Sequence, residues 1–293
     1  MKKRILFIIN PISGIKRIIN FERVIQRKID HAKFDVSIRY TEYKGHGSLL
    51  AREAVENRTD IVVAVGGDGT INEIATQLVN TNTIMGIIPA GSGNGMAFHL
   101  NIPIVPTKAV KVINNFKTTK IDVCKLNDYH FFSVAGIGFD AKVAYDFNSQ
   151  KHRGFNNYLK QVIKNYLHYK QDLFRISYSD TTIDKEAFFI TFANSSQWGF
   201  NIKMAPFASI QDGLVDVCIF HKPPFYMILP TAGNLLTNQI DKDPITEYIH
   251  CSQVDISTKD GLPIYLHIDG DAVEPTKEVH VRVIPKALNM IVG

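Results

Sequence analysis

An apolar strand that runs directly into a glycine-rich turn is the feature that most constrains this chain. Ile61–Val65 reads Ile-Val-Val-Ala-Val, and Gly66–Thr70 reads Gly-Gly-Asp-Gly-Thr. These glycines allow positive φ angles and let backbone N–H groups approach an anion that a Cβ would keep away. Apolar residues then recur at helical spacing from Ile71 to Val79, so the turn ends at a helix N-terminus. The pattern predicts a phosphate-binding strand–turn–helix unit.

A second unit of the same kind follows at once. Ile84–Pro89 is strand-like, Gly91–Gly95 reads Gly-Ser-Gly-Asn-Gly, and a short helix is predicted over Met96–Leu100. Each loop alone is equally compatible with an ordinary βα turn, whereas polar side chains in both loops favour a functional site. Those side chains are Asp68, Thr70, Ser92 and Asn94. Neither loop ends in Gly-Lys-Ser/Thr, so neither is a Walker A motif.

The two halves of the chain differ in hydrophobic pattern. Up to about Leu126, apolar strands alternate with helical patterns, which is typical of a parallel α/β sheet. From about Asp128, short strands separated by turns favour an antiparallel β-sandwich. We therefore expect an α/β domain over residues 1–126, a sandwich domain over residues 127–284, and a C-terminal segment, 285–293. The strands predicted in the second half are His130–Ala135, Leu173–Tyr178, Ala187–Ala193, Val215–Phe220, Val254–Thr258, Ile264–Ile268 and Val279–Ile284.

Composition limits the classes of partner. The chain has 293 residues, of which 45% are hydrophobic, so it can bury a sizeable core. The net charge of +5 fits an anionic ligand or a membrane surface and gives no argument for nucleic acid. The three cysteines, Cys124, Cys218 and Cys251, form neither a disulfide framework nor a zinc pattern, so a cytoplasmic location is expected. No run reaches the ~18 apolar residues of a transmembrane segment, so contact with lipid is expected to be peripheral.

A series of motifs along the chain resembles the diacylglycerol kinase catalytic family, which holds bacterial lipid kinases, sphingosine kinases and ceramide kinases. Asn10–Gly14 resembles the family's first nucleotide loop, and Gly66–Thr70 resembles its signature. Gly91–Asn94 is closer to the sphingosine kinase form, because Gly95 stands where typical bacterial diacylglycerol kinases have Asp. The other motifs, in the family's order and approximate spacing, are Gly138–Ala141, Ala205–Pro206, Asp212–Asp216 and Asp269–Asp271.

This resemblance implies an NAD kinase- or diacylglycerol kinase-like fold whose last segment returns to the first domain. It implies ATP and Mg²⁺ as cofactors, a membrane lipid as substrate, and it allows a homodimer. Thr41, at the end of a predicted strand, joins the loops as a nucleotide contact, although a strand-end cap is an equal interpretation. The implied nucleotide-binding residues are Asn10, Pro11, Ser13, Gly14, Thr41, Gly66, Gly67, Asp68, Gly69, Thr70, Asn72, Glu73, Gly91, Ser92 and Asn94.

Two acidic residues are predicted to hold metal. Asp68 is expected to bind Mg²⁺ or its waters, the alternative being an Asx-turn oxygen that bonds its own backbone. Several bacterial lipid kinases hold Mg²⁺ through one carboxylate and two backbone carbonyls, which here are Asp212, Ser209 and Leu214. Without the resemblance, Asp212–Gly213 is an ordinary turn.

The catalytic base departs from the family pattern. The family usually has Asp-Gly-Glu, whereas Asp269–Asp271 reads Asp-Gly-Asp. A displacement of about 1 Å can lower a rate ~100-fold, so either the backbone compensates or activity is weak. We assign Asp271 as the acceptor of the proton from the lipid hydroxyl. Without the resemblance, a polar hairpin turn is an equal interpretation.

The expected function is ATP-dependent phosphorylation of the primary hydroxyl of a diacylglycerol, sphingoid base or related lipid. The alternatives are a kinase of a soluble substrate such as NAD, a nucleotide- or lipid-binding regulator without turnover, and a structural protein. The amphipathic helix predicted from Phe155 to Lys170 is more often a packed helix than a membrane contact. The apolar stretch Pro223–Leu236 is either part of a lipid pocket or core.

Overall fold

A computed structural model describes residues 2–14, 19–148, 165–166, 169–199 and 202–293 of the chain. The chain divides into two compact units. The first comprises Met1–Val123, Gln197–Asn201 and Pro285–Gly293, and the second comprises Cys124–Ser196 and Ile202–Ile284. Most of the helix predicted from Phe155 to Lys170 lies outside the described residues.

The first unit is built on parallel strands. They are β1 (Lys3–Ile9), β2 (Phe34–Tyr40), β3 (Ile61–Gly66) and β4 (Ile84–Pro89), in the order β2–β1–β3–β4. The helices are α1 (Phe21–Lys28), α2 (His46–Glu56), α3 (Asp68–Leu78), α4 (Gly95–His99) and α5 (Pro106–Asn115). The predicted parallel α/β fold is confirmed, although α5 was not predicted.

Burial explains the sequence pattern of this sheet. All six residues of β3 are buried, so both of its faces are covered, and the strand is a continuous apolar run rather than an alternating one. In α3, Ile71, Ile74 and Leu78 are buried at helical spacing. The carboxyl ends of parallel strands lie at one edge of a sheet, so the loops after β1, β2, β3 and β4 share that edge.

The second unit contains two antiparallel sheets. Its strands and helices are β5 (Thr118–Leu126, which begins in the first unit), β6 (Tyr129–Phe131), β7 (Val134–Gly138), α6 (Phe139–Asn148), β8 (Asp172–Tyr178), β9 (Thr181–Ala187), β10 (Phe189–Ala193), β12 (Ile202–Lys203), β13 (Val215–Phe220), α7 (Ile228–Leu236), β14 (Thr246–Cys251), β15 (Gln253–Thr258), β16 (Ile264–Ile268) and β17 (Asp271–Thr276). The short strand β11 (Gln197–Gly199) belongs to the first unit. One sheet has the order β14–β13–β10–β7–β16–β17.

The other sheet pairs β8 with β9 and with β15, and β15 with the last strand, β18 (Glu278–Ile291). Apolar side chains from both sheets share one core, among them Phe174 of β8, Phe192 of β10 and Ile256 of β15. The predicted antiparallel sandwich is confirmed, although β9, β14 and β17 were not predicted.

Two predicted strands are wrong in detail, because the chain passes from one sheet to the other within each. His130–Ala135 is divided between β6, which pairs with β5, and β7, which pairs with β10. Ala187–Ala193 is divided at Phe188 between β9 and β10, which lie in different sheets. An apolar run continues through such a crossing, so hydrophobic pattern alone does not reveal it.

The last strand is longer than predicted. The prediction ended at Ile284, whereas β18 continues to Ile291. Its first part pairs with β15 in the second unit, and its part from Pro285 onward belongs to the first unit. There, Met290 pairs in parallel with Met85 of β4. The C-terminal residues thus extend the parallel sheet beside β4.

The apolar stretch Pro223–Leu236 is not core. It forms a 3₁₀ turn, Phe225–Met227, and α7, in which no residue is buried. Phe225 is 86% exposed and Leu229 is 82% exposed. Within the described residues, the helices are all too short or too polar to cross a bilayer.

Candidate functional site

The loop after β1 is tied to the loop after β3 by Asn10. The backbone N–H of Asn10 donates to the carbonyl of Val65 at 2.9 Å, and its side-chain Nδ2 donates to Thr70 Oγ1 at 2.9 Å. Asn10 Oδ1 accepts the N–H of Ile12 at 3.1 Å, which closes an Asx turn. One asparagine therefore shapes its own loop and fastens it to the start of α3.

The glycines after β3 serve close packing rather than an unusual backbone conformation. The positive φ angles that these glycines allow are not adopted here, because Gly66, Gly67 and Gly69 are absent from the residues with positive φ, and Gly67 has φ −92°. A Cβ on Gly66 would lie 2.6 Å from the Cβ of Thr70. A Cβ on Gly91 would lie 2.6 Å from the Cα of Gly67. Glycine is required because the two loops touch through their backbones.

Asp68 is the first residue of α3 and holds the loop after β4. Its Oδ2 accepts the N–H of Asn94 at 2.8 Å, and its Oδ1 accepts the N–H of Gly95 at 2.9 Å. A carboxylate makes such bonds stronger than a neutral acceptor would. A Cβ on Gly93 would lie 2.8 Å from Asp68 Oδ2, so glycine is required there as well. Asp68 thus bonds the neighbouring loop, which neither sequence interpretation foresaw.

The loop after β4 is closed by Asn94 and contacts the first loop. Asn94 is buried, has φ +52°, accepts the N–H of Gly91 at 2.9 Å and donates to its carbonyl at 2.8 Å. Asparagine tolerates this left-handed conformation better than most residues. Gly14 has φ +62°, and a Cβ there would lie 2.1 Å from the carbonyl oxygen of Ala90. The three loops therefore form one contiguous structure.

A cavity of about 370 Å³ opens beside these loops in the first unit. Its volume falls within the range of small-molecule sites. It is lined by eight of the predicted nucleotide residues: Asn10, Pro11, Ser13, Thr41, Gly67, Gly69, Thr70 and Glu73. The other predicted residues, Gly14, Gly66, Asp68, Asn72, Gly91, Ser92 and Asn94, are outside this lining. Among these, Asp68, Gly91 and Asn94 build the loops that border it.

Sequence reasoning missed one wall of this cavity. Besides Ile12, the additional lining residues are Glu42, Tyr43 and Lys44, which follow the end of β2. Lys44 is exposed and brings a positive charge to the lining. The ring of Tyr43 stacks on His46 with centroids 4.7 Å apart, and His46 Nδ1 accepts the N–H of Glu42 at 3.1 Å. The available signal was that this segment follows a strand adjacent to β1 in a parallel sheet.

Glu73 fixes this wall from the other side. Its Oε1 accepts the N–H of Gly45 at 2.9 Å, and its backbone carbonyl accepts the hydroxyl of Ser48 at 3.0 Å. A Cβ on Gly47 would lie 2.9 Å from Glu73 Oε2. Thr41, at the end of β2, is buried and donates its N–H to the carbonyl of Ile9 at 2.9 Å.

The second unit carries the Asp-Gly-Asp motif on the hairpin between β16 and β17. Asp269 has φ +47° and Gly270 has φ +91°. Asp269 Oδ1 accepts the N–H groups of Ser133 and Val134 at 2.9 and 3.1 Å, and Oδ2 accepts that of Phe132 at 3.2 Å. Asp269 therefore holds the hairpin on the segment where the chain crosses between sheets.

Asp271, the second aspartate of the motif, lies on the same hairpin as Asp269. It is the first residue of β17, pairs with Ile268 across the turn, and is exposed. The two aspartates of the motif thus differ in environment. Asp269 is engaged by backbone N–H groups, and Asp271 presents its carboxylate to solvent.

Asp212 has the geometry of a turn residue. Its Oδ1 accepts the N–H of Leu214 at 3.0 Å, Gly213 has φ +75°, and Ser209 Oγ accepts the N–H of Gln211 at 3.3 Å. The described residues contain no cluster of three or more His, Cys, Asp or Glu side chains suited to a metal ion. A metal at Asp212 therefore depends on backbone carbonyls. One carboxylate with carbonyl oxygens is a hard donor set that Mg²⁺ accepts together with water.

Comparison with known proteins identifies similarity along most of the chain. The diacylglycerol kinase catalytic domain matches residues 4–126, and the YegS C-terminal NAD kinase beta sandwich-like domain matches residues 133–292. A diacylglycerol kinase of Staphylococcus epidermidis is 28% identical over 291 residues, covering 92% of this chain and 86% of that protein. A diacylglycerol kinase of Bacillus subtilis is 27% identical over 305 residues, covering 97% of each.

The fold is also found among solved structures. A crystal structure of a diacylglycerol kinase from Bacillus anthracis has a TM-score of 0.73 with this chain at 19% identity. The match covers 99% of this chain and 97% of that one. At this identity the likeness shows a shared fold.

Proposed function

Because this chain belongs to the diacylglycerol kinase catalytic family and is a kinase of a lipid alcohol, we propose that it transfers the γ-phosphate of ATP to the primary hydroxyl of a diacylglycerol or sphingoid base with the help of Mg²⁺. The observation that carries this proposal is the set of three interlocked loops at the carboxyl ends of β1, β3 and β4, beside a cavity of about 370 Å³.

The triphosphate binds in this cavity at the N-terminus of α3. Free N–H groups in the first turn of a helix, together with the helix dipole, attract anions. Gly67, Gly69 and Thr70 line the cavity at that turn, and Lys44 offers a cation on the wall after β2. Asn10 and Thr70 are already hydrogen-bonded to each other, so this surface needs little reorganisation when phosphate binds.

Asp68 acts on the nucleotide site by organising the second loop and by attracting Mg²⁺ through water. Its direct bonds to Asn94 and Gly95 support the first role. Asp212, with the carbonyls of Ser209 and Leu214, supplies a second set of hard oxygen ligands. Bound Mg²⁺ would neutralise the charge that develops on the phosphate oxygens.

Asp271 takes the proton from the acceptor hydroxyl. As the lipid oxygen forms its bond to the γ-phosphorus, the bond between that phosphorus and the bridging oxygen of ADP breaks, and the hydroxyl proton passes to the Asp271 carboxylate. The exposure of Asp271 and the rigid attachment of its hairpin through Asp269 support this role.

The lipid is reached from a membrane surface, with the protein in the cytoplasm. Four large apolar side chains of the 3₁₀ turn and α7 support this part of the proposal, because each is more than 70% exposed. They are Phe225, Tyr226, Leu229 and Leu236. A surface of this kind is costly in water and favourable in an acyl-chain interface.

The experiment that tests this function is transfer of labelled γ-phosphate from Mg-ATP to several acceptors in mixed micelles. The acceptors are diacylglycerol, sphinganine, ceramide, monoacylglycerol and NAD. A labelled diacylglycerol or sphinganine, lost when Mg²⁺ is chelated, is the expected result and identifies the substrate. A labelled NAD without any labelled lipid contradicts the proposal, and ATP binding without labelling of any acceptor favours a regulator.

A further inference from the structure

A histidine and an aspartate form a buried pair in the second unit that the reaction above does not use. His267 Nε2 lies 3.0 Å from Asp140 Oδ2, and the side chains are only 4% and 10% exposed. A carboxylate accepts hydrogen bonds and has none to donate, so Nε2 carries the proton. Residues of this polarity are rarely buried so fully without a specific partner.

The neighbouring strand is shaped around this pair. Gly136 of β7 lies directly opposite His267 of β16 in the antiparallel register. A Cβ on Gly136 would lie 2.4 Å from His267 Nε2 and 2.6 Å from Asp140 Oδ2. Any side chain at this position would therefore displace the histidine or the aspartate.

Stability alone does not account for the histidine. Its Nδ1 is buried and has no hydrogen-bond partner among the described residues. An unpaired buried polar atom has an energetic cost that an apolar side chain would avoid. Within the part of the chain that the structure describes, this side chain has one polar contact, with Asp140, and that contact requires an explanation.

The pair joins the start of α6 to the strand that leads into the catalytic hairpin. Asp140 lies in the first turn of α6, where its Oδ1 also accepts the N–H of Ala141 at 2.7 Å. His267 precedes Asp269 by two residues and pairs with Ala272, the neighbour of Asp271. Only one strand residue therefore separates His267 from the turn that begins at Asp269, so a change at the His267–Asp140 contact occurs close to that turn.

A second contact fastens the same helix to the same strand. The ring of Tyr145 in α6 packs edge-on against Tyr265 of β16 with centroids 5.3 Å apart. Lys142 Nζ lies 4.9 Å from the centroid of the same Tyr265 ring. These contacts join α6 to β16 independently of the buried pair, so we expect loss of the pair to shift the hairpin rather than to detach the helix.

We propose that His267 is a positioning residue of the kinase reaction. By holding Asp140, it sets the placement of β16 against α6 and β7 and thereby the placement of the Asp271 carboxylate at the hairpin. The inference rests on the proposed function, in which Asp271 accepts the proton from the lipid hydroxyl.

The test compares His267→Leu with His267→Gln. Leucine removes the donor to Asp140, whereas the glutamine amide offers an N–H at a position similar to Nε2. For His267→Leu, we expect kcat per folded molecule to fall about 10- to 100-fold, as for a base displaced by about 1 Å. The KM for ATP should change less than about twofold, because the nucleotide residues belong to the other unit. His267→Gln should retain kcat within about threefold of wild type.

Two further variants separate positioning from a loss of stability. Gly136→Ala keeps both side chains of the pair, but its Cβ would displace His267 or Asp140, so it should lower kcat in the same way. His280→Leu is the matched control, because His280 Nδ1 lies 2.7 Å from Asp255 Oδ1 in an exposed pair on β18 and β15. We expect His280→Leu to keep the wild-type kcat and KM.

Three results would overturn the proposal. A wild-type kcat per folded molecule in His267→Leu, with only a lower melting temperature, would assign the pair a purely structural role. Equal losses in His267→Leu and His267→Gln would show that the donor to Asp140 is not what matters. Failure of the wild-type protein to label any lipid alcohol would remove the proposed function and this inference with it, whereas the first two results leave the proposed function intact.

Discussion

At the scale of single residues, the two aspartates of the Asp-Gly-Asp motif lie in different environments. The carboxylate of Asp269 accepts hydrogen bonds from three backbone N–H groups, whereas Asp271 is exposed on the same hairpin. Proximity in sequence therefore does not imply a shared role. The contrast leads to a direct test of the base.

Asp271→Asn should lower kcat about 10²- to 10⁴-fold while leaving the KM for ATP nearly unchanged, since it removes the proposed general base without altering the cavity proposed to bind the nucleotide. The measurement is steady-state phosphorylation of the lipid that wild type labels best. Asp271→Glu, which keeps a carboxylate, should be more active than the asparagine variant. Full activity of Asp271→Asn would remove this residue from the mechanism.

Lys44 provides a test of the cavity wall that the sequence did not reveal. Lys44→Gln should raise the KM for ATP about 3- to 10-fold at low ionic strength, because a cation that lines the proposed triphosphate site is lost. The difference from wild type should shrink as salt is added, since the charge is exposed and therefore screened. Lys111→Gln on the exposed side of α5 is the matched control. An unchanged KM in Lys44→Gln would place the phosphates elsewhere.

At the scale of elements, Asp68 joins the loop after β3 to the loop after β4. Gly93→Ala should disturb this junction, because its Cβ would meet Asp68 Oδ2 at 2.8 Å. We expect Gly93→Ala and Asp68→Ala each to raise the KM for ATP and to lower the melting temperature. Ser92→Ala, in the same loop but exposed, should leave the melting temperature unchanged. Wild-type nucleotide affinity in Gly93→Ala would show that the junction does not shape the site.

A pH-dependent contribution to stability is expected where β14 meets β9 and the end of β13. Hydrogen bonds from Lys185 and His221 lower the pKa of Glu247 below its ordinary value of 4.5. A carboxylate whose pKa is depressed by folding stabilises the fold above its unfolded pKa, and this contribution is lost as the pH falls through the folded pKa. Glu247→Gln should therefore destabilise the fold at neutral pH, and its difference from wild type should shrink as the pH falls below 4.5 and through the lowered pKa of Glu247.

The size of this effect is limited by exposure. Glu247 is 41% exposed, so the loss should stay under about 1 kcal/mol. Denaturant unfolding at pH 7 and at pH 3.5 measures it, with the exposed Glu186→Gln of β9 as control. If the difference in unfolding free energy between Glu247→Gln and wild type increased as the pH was lowered, the result would contradict a stabilising role for the Glu247 carboxylate.

The sequence predicted elements better than it predicted contacts. Continuous apolar runs identified β1, β3 and β4 because both faces of those strands are buried. The crossings between sheets at Phe132–Ser133 and at Phe188 were missed, because an apolar run does not record which sheet each residue joins. The bond from Asp68 to Asn94 was missed for a related reason, since it joins loops 26 residues apart. Motifs located the loops, and only the fold shows how they touch.

At the scale of the whole molecule, a lipid kinase must meet a substrate that resides in a membrane, and the described helices include none able to cross one. The exposed apolar side chains of α7 and its preceding turn supply a candidate contact. Leu229→Gln combined with Phe225→Gln should lower activity on diacylglycerol in vesicles at least ~10-fold, since each buried side chain of this size contributes about 1.5–3 kcal/mol to partitioning.

The same double variant should phosphorylate a short-chain, water-soluble diacylglycerol at the wild-type rate, because the cavity and the hairpin are untouched. Leu262→Gln, at an exposed leucine in the turn between β15 and β16, is the matched control on vesicles. Parallel sedimentation with the vesicles measures binding directly. Equal losses on vesicles and on the soluble substrate would assign α7 to the fold of the second unit rather than to the membrane, whereas a loss confined to vesicles follows only if α7 enters the lipid interface.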